Sequence, residues 1–472
     1  MRSGDEIIEQ GKEYEFNVTV SDQNCNFAAR LTLNKKAITI RIMCESTDSR
    51  NFEFFYKKNM LTCKGINKTF LLHNLTLSKS ISRSIDFHPQ QIGYFEHEYH
   101  AEYLIFIPAA FISNDILITS ILLQSETINS WIGNTKTQQD IITAYSNNTD
   151  FKELSSLSNQ LSVTLTDDSC MYIDYDITTH YSISSFSSGL RFPPLLQFCF
   201  FSGLKTTDVK SKFDDIYSLM SFFIGYDFPL ERISLHFDEH CIDKDGFLYF
   251  PEIKGKYVPP HINYSFFPLG TDLCFNSLCL PEIPTSAFES FFNLDDTRKG
   301  YFNKYLKYRR MLNTEEQFLG YFRILESLCF KSKSYVDQDL LDALIEKSRK
   351  YLQIKLKDNK GTNSFLRGIS RYNNSKYNTE KCLQDFYIQI PKTITEKWNH
   401  SRSDISDICK LRNDITHANN YYIGDEELSS KTIFIKCLLV MRMSELLGIP
   451  VSTLCEVIHR IDGYSRLRKY DT

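Results

Sequence analysis

The run Leu411-Arg412-Asn413-Asp414-Ile415-Thr416-His417 places a guanidinium, a carboxamide and an imidazole close together in the chain. If the run is helical, Asn413 and His417 are four apart and share a face. Arg412 then stands about 140° from His417 and must reach round with its long side chain. A cation, an amide and a titrating ring can thereby meet on one anion. These groups suffice to break a phosphodiester without a metal, the guanidinium holding the non-bridging oxygens while the imidazole moves protons.

The spacing alone does not single the site out, because Arg83 and His88 repeat it. That second pair lies in a Ser-rich, alternating stretch that reads as strand and loop, with Ser84 where Asn413 stands. The setting of Arg412 and His417 differs. A helix from about 403 carries the apolar stripe Ile405, Ile408, Leu411 and Ile415 and ends at Asn419-Asn420, within a helical C-terminal third.

Other groupings carry less chemistry. The chain has 13 cysteines and no CxxC pair, which suits reduced, mostly buried thiols in a cytoplasmic protein. Cys274 and Cys279 are the closest pair but lack a partner Cys/His pair at a zinc-site distance. His97, Glu98 and His100, followed by Glu102, lack the four-residue helical step of a zincin and read as exposed strand positions. The N-terminal region has no Gly-rich phosphate loop and no GxSxG, so recognition is its default role; no cofactor is expected for the chain.

The elements that must hold the motif fall into two regions. With 472 residues, 42% hydrophobic and 24% charged, the chain has room for two or three domains. Its start does not read as a signal peptide. The longest apolar runs, 103–112 and 116–123, are interrupted by Pro108, Ser113-Asn114 and Thr119, so they read as core strands rather than membrane spans. Alternation at Phe16, Val18 and Val20, then at Leu31 and Leu33, then at Ile38, Ile40 and Ile42 predicts antiparallel strands, with a turn at Asn34-Lys35-Lys36. More strands follow at 70–77, 103–111, 116–123, 161–165, 171–175, 195–201, 233–237 and 247–250, and one amphipathic helix interrupts them at 208–225. Trp131 reads as core, and Tyr264-Ser265-Phe266-Phe267 as core or ligand contact.

Pro281 and Pro284 halt regular structure, which predicts a β-rich, sandwich-like regulatory domain over 1–284 and an all-helical domain over 285–472, an α+β fold overall. Residues 291–472 hold 31 Lys+Arg against 23 Asp+Glu, a net of +8; the rest holds 23 against 35, a net of −12. This asymmetry suits either a polyanion on the helical domain or attraction between the two domains. Lys304, Lys307, Arg309 and Arg310, interleaved with Tyr301, Tyr305 and Tyr308, form either an RNA-contacting face or a solvated one. Thr314-x-x-Gln317 predicts a capping box opening a helix with the core stripe Phe318, Phe322, Leu325 and Cys329. Glu326 beside that stripe is either exposed or turned to the motif helix to orient Arg412 or His417. Further helices are predicted at 337–356, 377–390, 426–447 and 451–461.

Arg412-Asn413-x3-His417 resembles the Arg-polar-x3-His signature of HEPN domains. The stretch from Glu315-Glu316-Gln317-Phe318-Leu319 to Leu325-Glu326-Ser327-Leu328 is similar to the acidic, apolar helix that precedes the motif in ApeA-type anti-phage proteins, and 103–131 resembles their β-rich domain. The resemblance implies a homodimeric, metal-independent endoribonuclease of abortive infection with Arg412, Asn413 and His417 at its active site, to which the orienting position of Glu326 would add a fourth residue. It also implies an N-terminal domain that senses a phage-derived activator, and makes transfer RNA a candidate substrate by analogy. In such a site His417, in the last helical turn where the dipole favours a cation, would take the 2′-hydroxyl proton or protonate the 5′-oxygen. A dimer would supply the second imidazole. The alternative is a catalytically silent HEPN dimerisation module or nucleic-acid-binding regulator.

Overall fold

The structure is a computed structural model that describes residues 7–22, 25–46, 55, 57–87, 90–110, 116–147, 161–182, 187–238, 245–253, 255–258, 264–273, 280–331, 336–373 and 379–469. His88, Cys274 and Cys279 lie outside the described residues. The chain divides into two compact units between Asp295 and Asp296.

The first unit contains β1 (Tyr14–Asp22), β2 (Cys25–Leu33), β3 (Ile38–Ser46), β4 (Met60–Gly65), β5 (Lys68–His73), β6 (Thr76–Phe87), β7 (Gln90–Ala101) and β8 (Tyr103–Ile107). It continues with β9 (Leu117–Gln124), α1 (Glu126–Ile132), α2 (Lys136–Ser146), β10 (Leu161–Thr166), β11 (Ser169–Tyr175), β12 (Thr178–Ser182), β13 (Ser187–Arg191), β14 (Pro194–Lys205), α3 (Val209–Ile224), β15 (Arg232–Phe237), β16 (Gly246–Tyr249) and α4 (Ser286–Phe292). Among the described residues fourteen strands form one antiparallel sheet in the order β10-β11-β14-β9-β15-β16-β8-β5-β4-β1-β2-β3-β7-β6, and β12 pairs with β13 in a second, two-stranded sheet. Alternation sets the register: Val20 faces Phe27, Leu33 faces Ile38 and Ile40 faces Tyr99, so a one-residue slip would turn every inward side chain to water. The inward side chains from β16 round to β7 form one core cluster that includes Leu31, Phe70, Phe95 and Phe106.

Helix α3 is nearly where its periodicity predicts it and is buried along most of its length. Trp131 is core, its indole N–H donating to the Phe267 carbonyl at 2.9 Å and its ring meeting Phe288 edge-on. Phe288 belongs to α4, and Phe292 of the same helix meets Phe198 on β14. The short helix after the two prolines therefore completes the core of the β unit, and the compact division falls ten residues beyond Thr285 rather than at it. The His97 and His100 positions are not both exposed. His97 faces inward and is buried, whereas His100 is exposed beside Thr39 Oγ1 at 3.3 Å, because alternate strand residues point to opposite faces.

The second unit contains α5 (Asp296–Arg309), α6 (Thr314–Cys329), α7 (Gln338–Leu356), α8 (Asn359–Asn373), α9 (Thr379–Tyr387), α10 (Lys392–Thr395), α11 (Asp404–Thr416), α12 (Asp425–Leu446) and α13 (Val451–Val457). Helix α12 is buried on nearly every side through Phe434, Leu438, Met441 and their neighbours, and α6 lies along it. Trp398 fills the space between Tyr387 and Phe434 and donates to the Tyr464 hydroxyl at 3.0 Å. Helix α8 was not legible as a helix; its Asn and Gly content hides a start at which Asp358 accepts from the Gly361 N–H at 2.8 Å. The start of α6 also differs from the capping-box expectation. Asn313 is the cap, accepting from the Glu315 and Glu316 N–H groups, while the Gln317 amide donates back to the Arg309 and Met311 carbonyls.

Candidate active site

Helix α11 buries Ile405, Ile408 and Leu411 against α6 and α9, which turns the following residue, Arg412, along the seam between those helices. Arg412 is half-buried. One guanidinium nitrogen donates to Glu326 Oε2 on α6, the other to Asn413 Oδ1 at 2.9 Å, and the plane lies over the Phe322 ring, 5.3 Å from its centroid. Glu326 is held in turn by the Thr379 hydroxyl at 2.7 Å. Three helices thus fix one guanidinium, with one carboxylate oxygen on Arg412 and the other on Thr379. This is the second of the two positions open to Glu326.

The helix ends tightly. His417 is the cap residue, its N–H bonded to the Asn413 carbonyl at 2.9 Å; Ala418 N–H bonds to Ile415 and Asn419 N–H to Asp414, at 3.3 and 2.9 Å. That double bond pattern needs a left-handed residue between the two, normally glycine, and here Ala418 takes it at φ 51°. The end falls at Thr416 rather than at Asn419-Asn420. The segment beyond is anchored where the Tyr421 hydroxyl donates to Glu315 at the start of α6. His417 itself is exposed, on the same face of the helix as Asn413 and one turn on.

A cavity of about 420 Å³ opens beside Arg412, lined by Phe322, Thr379, Glu380, Ser406, Cys409, Lys410, Arg412 and Asn413. Lys410, Thr379 and Phe322 are therefore part of the site's surroundings that spacing did not reveal; only Phe322, one turn before Glu326, carried a signal. Burial, reinforced by Glu380, pushes the Cys409 thiol up to about 12, so it offers no thiolate. Among the described residues no group of His, Cys, Asp and Glu is placed to hold a metal ion.

The basic stretch on α5 divides. Lys304 and Lys307 are exposed and Arg310 is half-buried. Arg309 is 1% exposed and cannot serve an RNA-contacting face. It falls seven residues after Phe302 and four after Tyr305, on the stripe that α5 turns to the core, with its guanidinium 5.6 Å from the Tyr305 ring centre.

Residues 12–274 match the family model of ApeA N-terminal domain 1, more than half of the chain, and residues 287–452 match that of the Apea-like HEPN domain. The chain belongs to the ApeA-type HEPN proteins. The second match takes in α6, α11 and every residue around Arg412 described above. An ApeA-like HEPN domain places the chain in an anti-phage HEPN nuclease family. Comparison with curated proteins and with solved structures finds no match. No helix among the described residues of this ApeA-type chain is long and apolar enough to cross a membrane.

Proposed function

We propose that this ApeA-type chain is a cytoplasmic endoribonuclease that cleaves RNA by internal transesterification without a metal, using Arg412, Asn413 and His417. One observation carries the reading: Arg412 is oriented by Glu326 and Asn413 at the end of α11, with His417 exposed one turn beyond at the helix cap. In this reading His417 takes the 2′-hydroxyl proton or protonates the leaving 5′-oxygen. Arg412 holds the phosphate as charge builds, and Lys410, which lines the same cavity, adds a second cation. Glu326 acts through Arg412 and is a positioning residue. A homodimer that pairs two motif helices supplies the second imidazole, transfer RNA is the leading substrate candidate, and the β unit answers a phage-derived trigger.

The test is RNA cleavage by wild type and His417→Ala in EDTA, with product ends mapped. Cyclic 2′,3′-phosphate and 5′-hydroxyl ends from wild type alone are expected. Equal cleavage by both proteins would refute the site.

A further inference from the structure

Helices α7 and α8 form a hairpin that packs on itself through Ile345, Thr362 and Leu366. The opposite face of α7 is not a polar one. Leu340, Leu344, Tyr351 and Ile354 are exposed there, between 61% and 75%. They are separated by four, seven and three residues, with Lys347 in the gap, which is the a/d stripe of a helix that pairs lengthwise with another. An apolar stripe of this kind on a solvated helix calls for a partner.

Charge on α7 says which partner. Asp339 and Glu346 lie in its first half and Lys347, Arg349, Lys350 and Lys355 in its second, while Asp342 is turned to α8 and accepts from the Ser370 hydroxyl at 3.3 Å. The helix dipole favours that polarity in any helix, but it has no bearing on the four apolar side chains between the charges. A parallel pair of α7 helices would set acid on acid and base on base. An antiparallel pair sets the acidic half of each helix along the basic half of the other while the apolar stripes meet, so the face is complementary to itself reversed.

We propose that the outer face of α7 docks antiparallel on the same face of a second copy of this chain, an isologous interface separate from the motif helix α11. It requires neither the nuclease reading nor RNA. If motif helices also pair, each subunit has two different self-contacts, and assembly proceeds beyond a dimer.

The test uses the full chain in sedimentation velocity. Asp339→Lys/Glu346→Lys leaves α7 mainly basic and Lys350→Glu/Lys355→Glu leaves it mainly acidic; all four positions are exposed. Each variant alone is expected at half the wild-type mass, and an equimolar mixture is expected to recover it, which damage to folding could not produce. Leu344→Ser/Ile354→Ser, with unchanged circular dichroism, is expected at half mass as well. Wild-type mass in all variants, or a mixture that stays at half mass, would overturn the interface. Unchanged mass together with RNA affinity that rises in the basic variant and falls in the acidic one would overturn it too, and assign the face to RNA.

Discussion

Replacing Glu326 by Gln keeps the shape of the side chain and removes its charge, which isolates what the carboxylate does for Arg412. The two side chains are 26% and 20% exposed, so the pair is mostly withdrawn from solvent. Charges about 4 Å apart at an effective dielectric near 20 attract by about 4 kcal/mol, and desolvation removes a good part of that. A hydrogen-bonded pair of this burial is expected to contribute a net of about 2 kcal/mol. For a unit of this size that lowers the thermal midpoint by about 4–8 °C. The sharper expectation concerns the pair: Glu326→Gln leaves a half-buried cation over Phe322, whereas Glu326→Gln/Arg412→Gln leaves none, so the double variant is expected to be more stable than the single one. Differential scanning calorimetry of the four proteins closes the cycle, and RNA cleavage on the same samples reports whether a misdirected Arg412 slows the reaction. A coupling below about 0.3 kcal/mol would refute the clamp, as would a double variant that melts below both singles.

Burial lowers the His73 imidazole to about 4, and the ring stacks on Tyr103 at 4.7 Å. The folded ring therefore stays neutral while the unfolded one gains a proton below about 6.5. Stability of the β unit is full above that pH and declines by up to about 3 kcal/mol as pH falls towards 4. His73→Phe is expected to flatten that part of a midpoint-against-pH curve, and an unchanged slope would count against it. Ala418→Gly relieves the left-handed strain at the end of α11 and is expected to stabilise the helical unit by about 0.5–1 kcal/mol, whereas Ala418→Val lowers its melting temperature. Lys304→Glu/Lys307→Glu is expected to weaken RNA binding and reduce the salt slope by about one per lysine, measured by titration at several salt concentrations. Arg309→Ala is expected to show instead as lost stability in thermal melts, since its side chain is buried.

Periodicity made the motif legible, because the stripe from Ile405 to Leu411 fixes which way α11 faces and hence where Arg412 emerges. It could not show the clamp. Thr379 lies 53 residues from Glu326, and nothing local to either residue announces the other. Arg309 was misread for a related reason: a cation between aromatics suggests a surface, and only its place after Phe302 and Tyr305 tells that the helix turns it inward. In the β unit, strands with a clean apolar alternation were readable. The long β6–β7 hairpin was not read as one, since β6 is a Ser-rich edge strand and β7 mixes inward residues such as Phe95, His97 and Tyr99 with polar ones. Asn419-Asn420 resembled a helix stop, but the backbone turns at Ala418.

The place of β16 in the sheet has a consequence for synthesis. β8 reads Tyr-Leu-Ile-Phe-Ile and is buried at all five positions, with β5 on one side and β16 on the other. β5 precedes it in the chain, with β6 and β7 between, but β16 begins about 140 residues after Ile107, and the pairing of Phe247 with Phe106 cannot form until those residues have left the ribosome. For that interval the nascent chain carries a bare, wholly apolar strand edge, the kind of surface that recruits neighbouring chains. The last four-residue strand of the sheet therefore sets how long that edge of the growing polypeptide stays unpaired, and slower, colder expression is expected to raise the yield of folded protein.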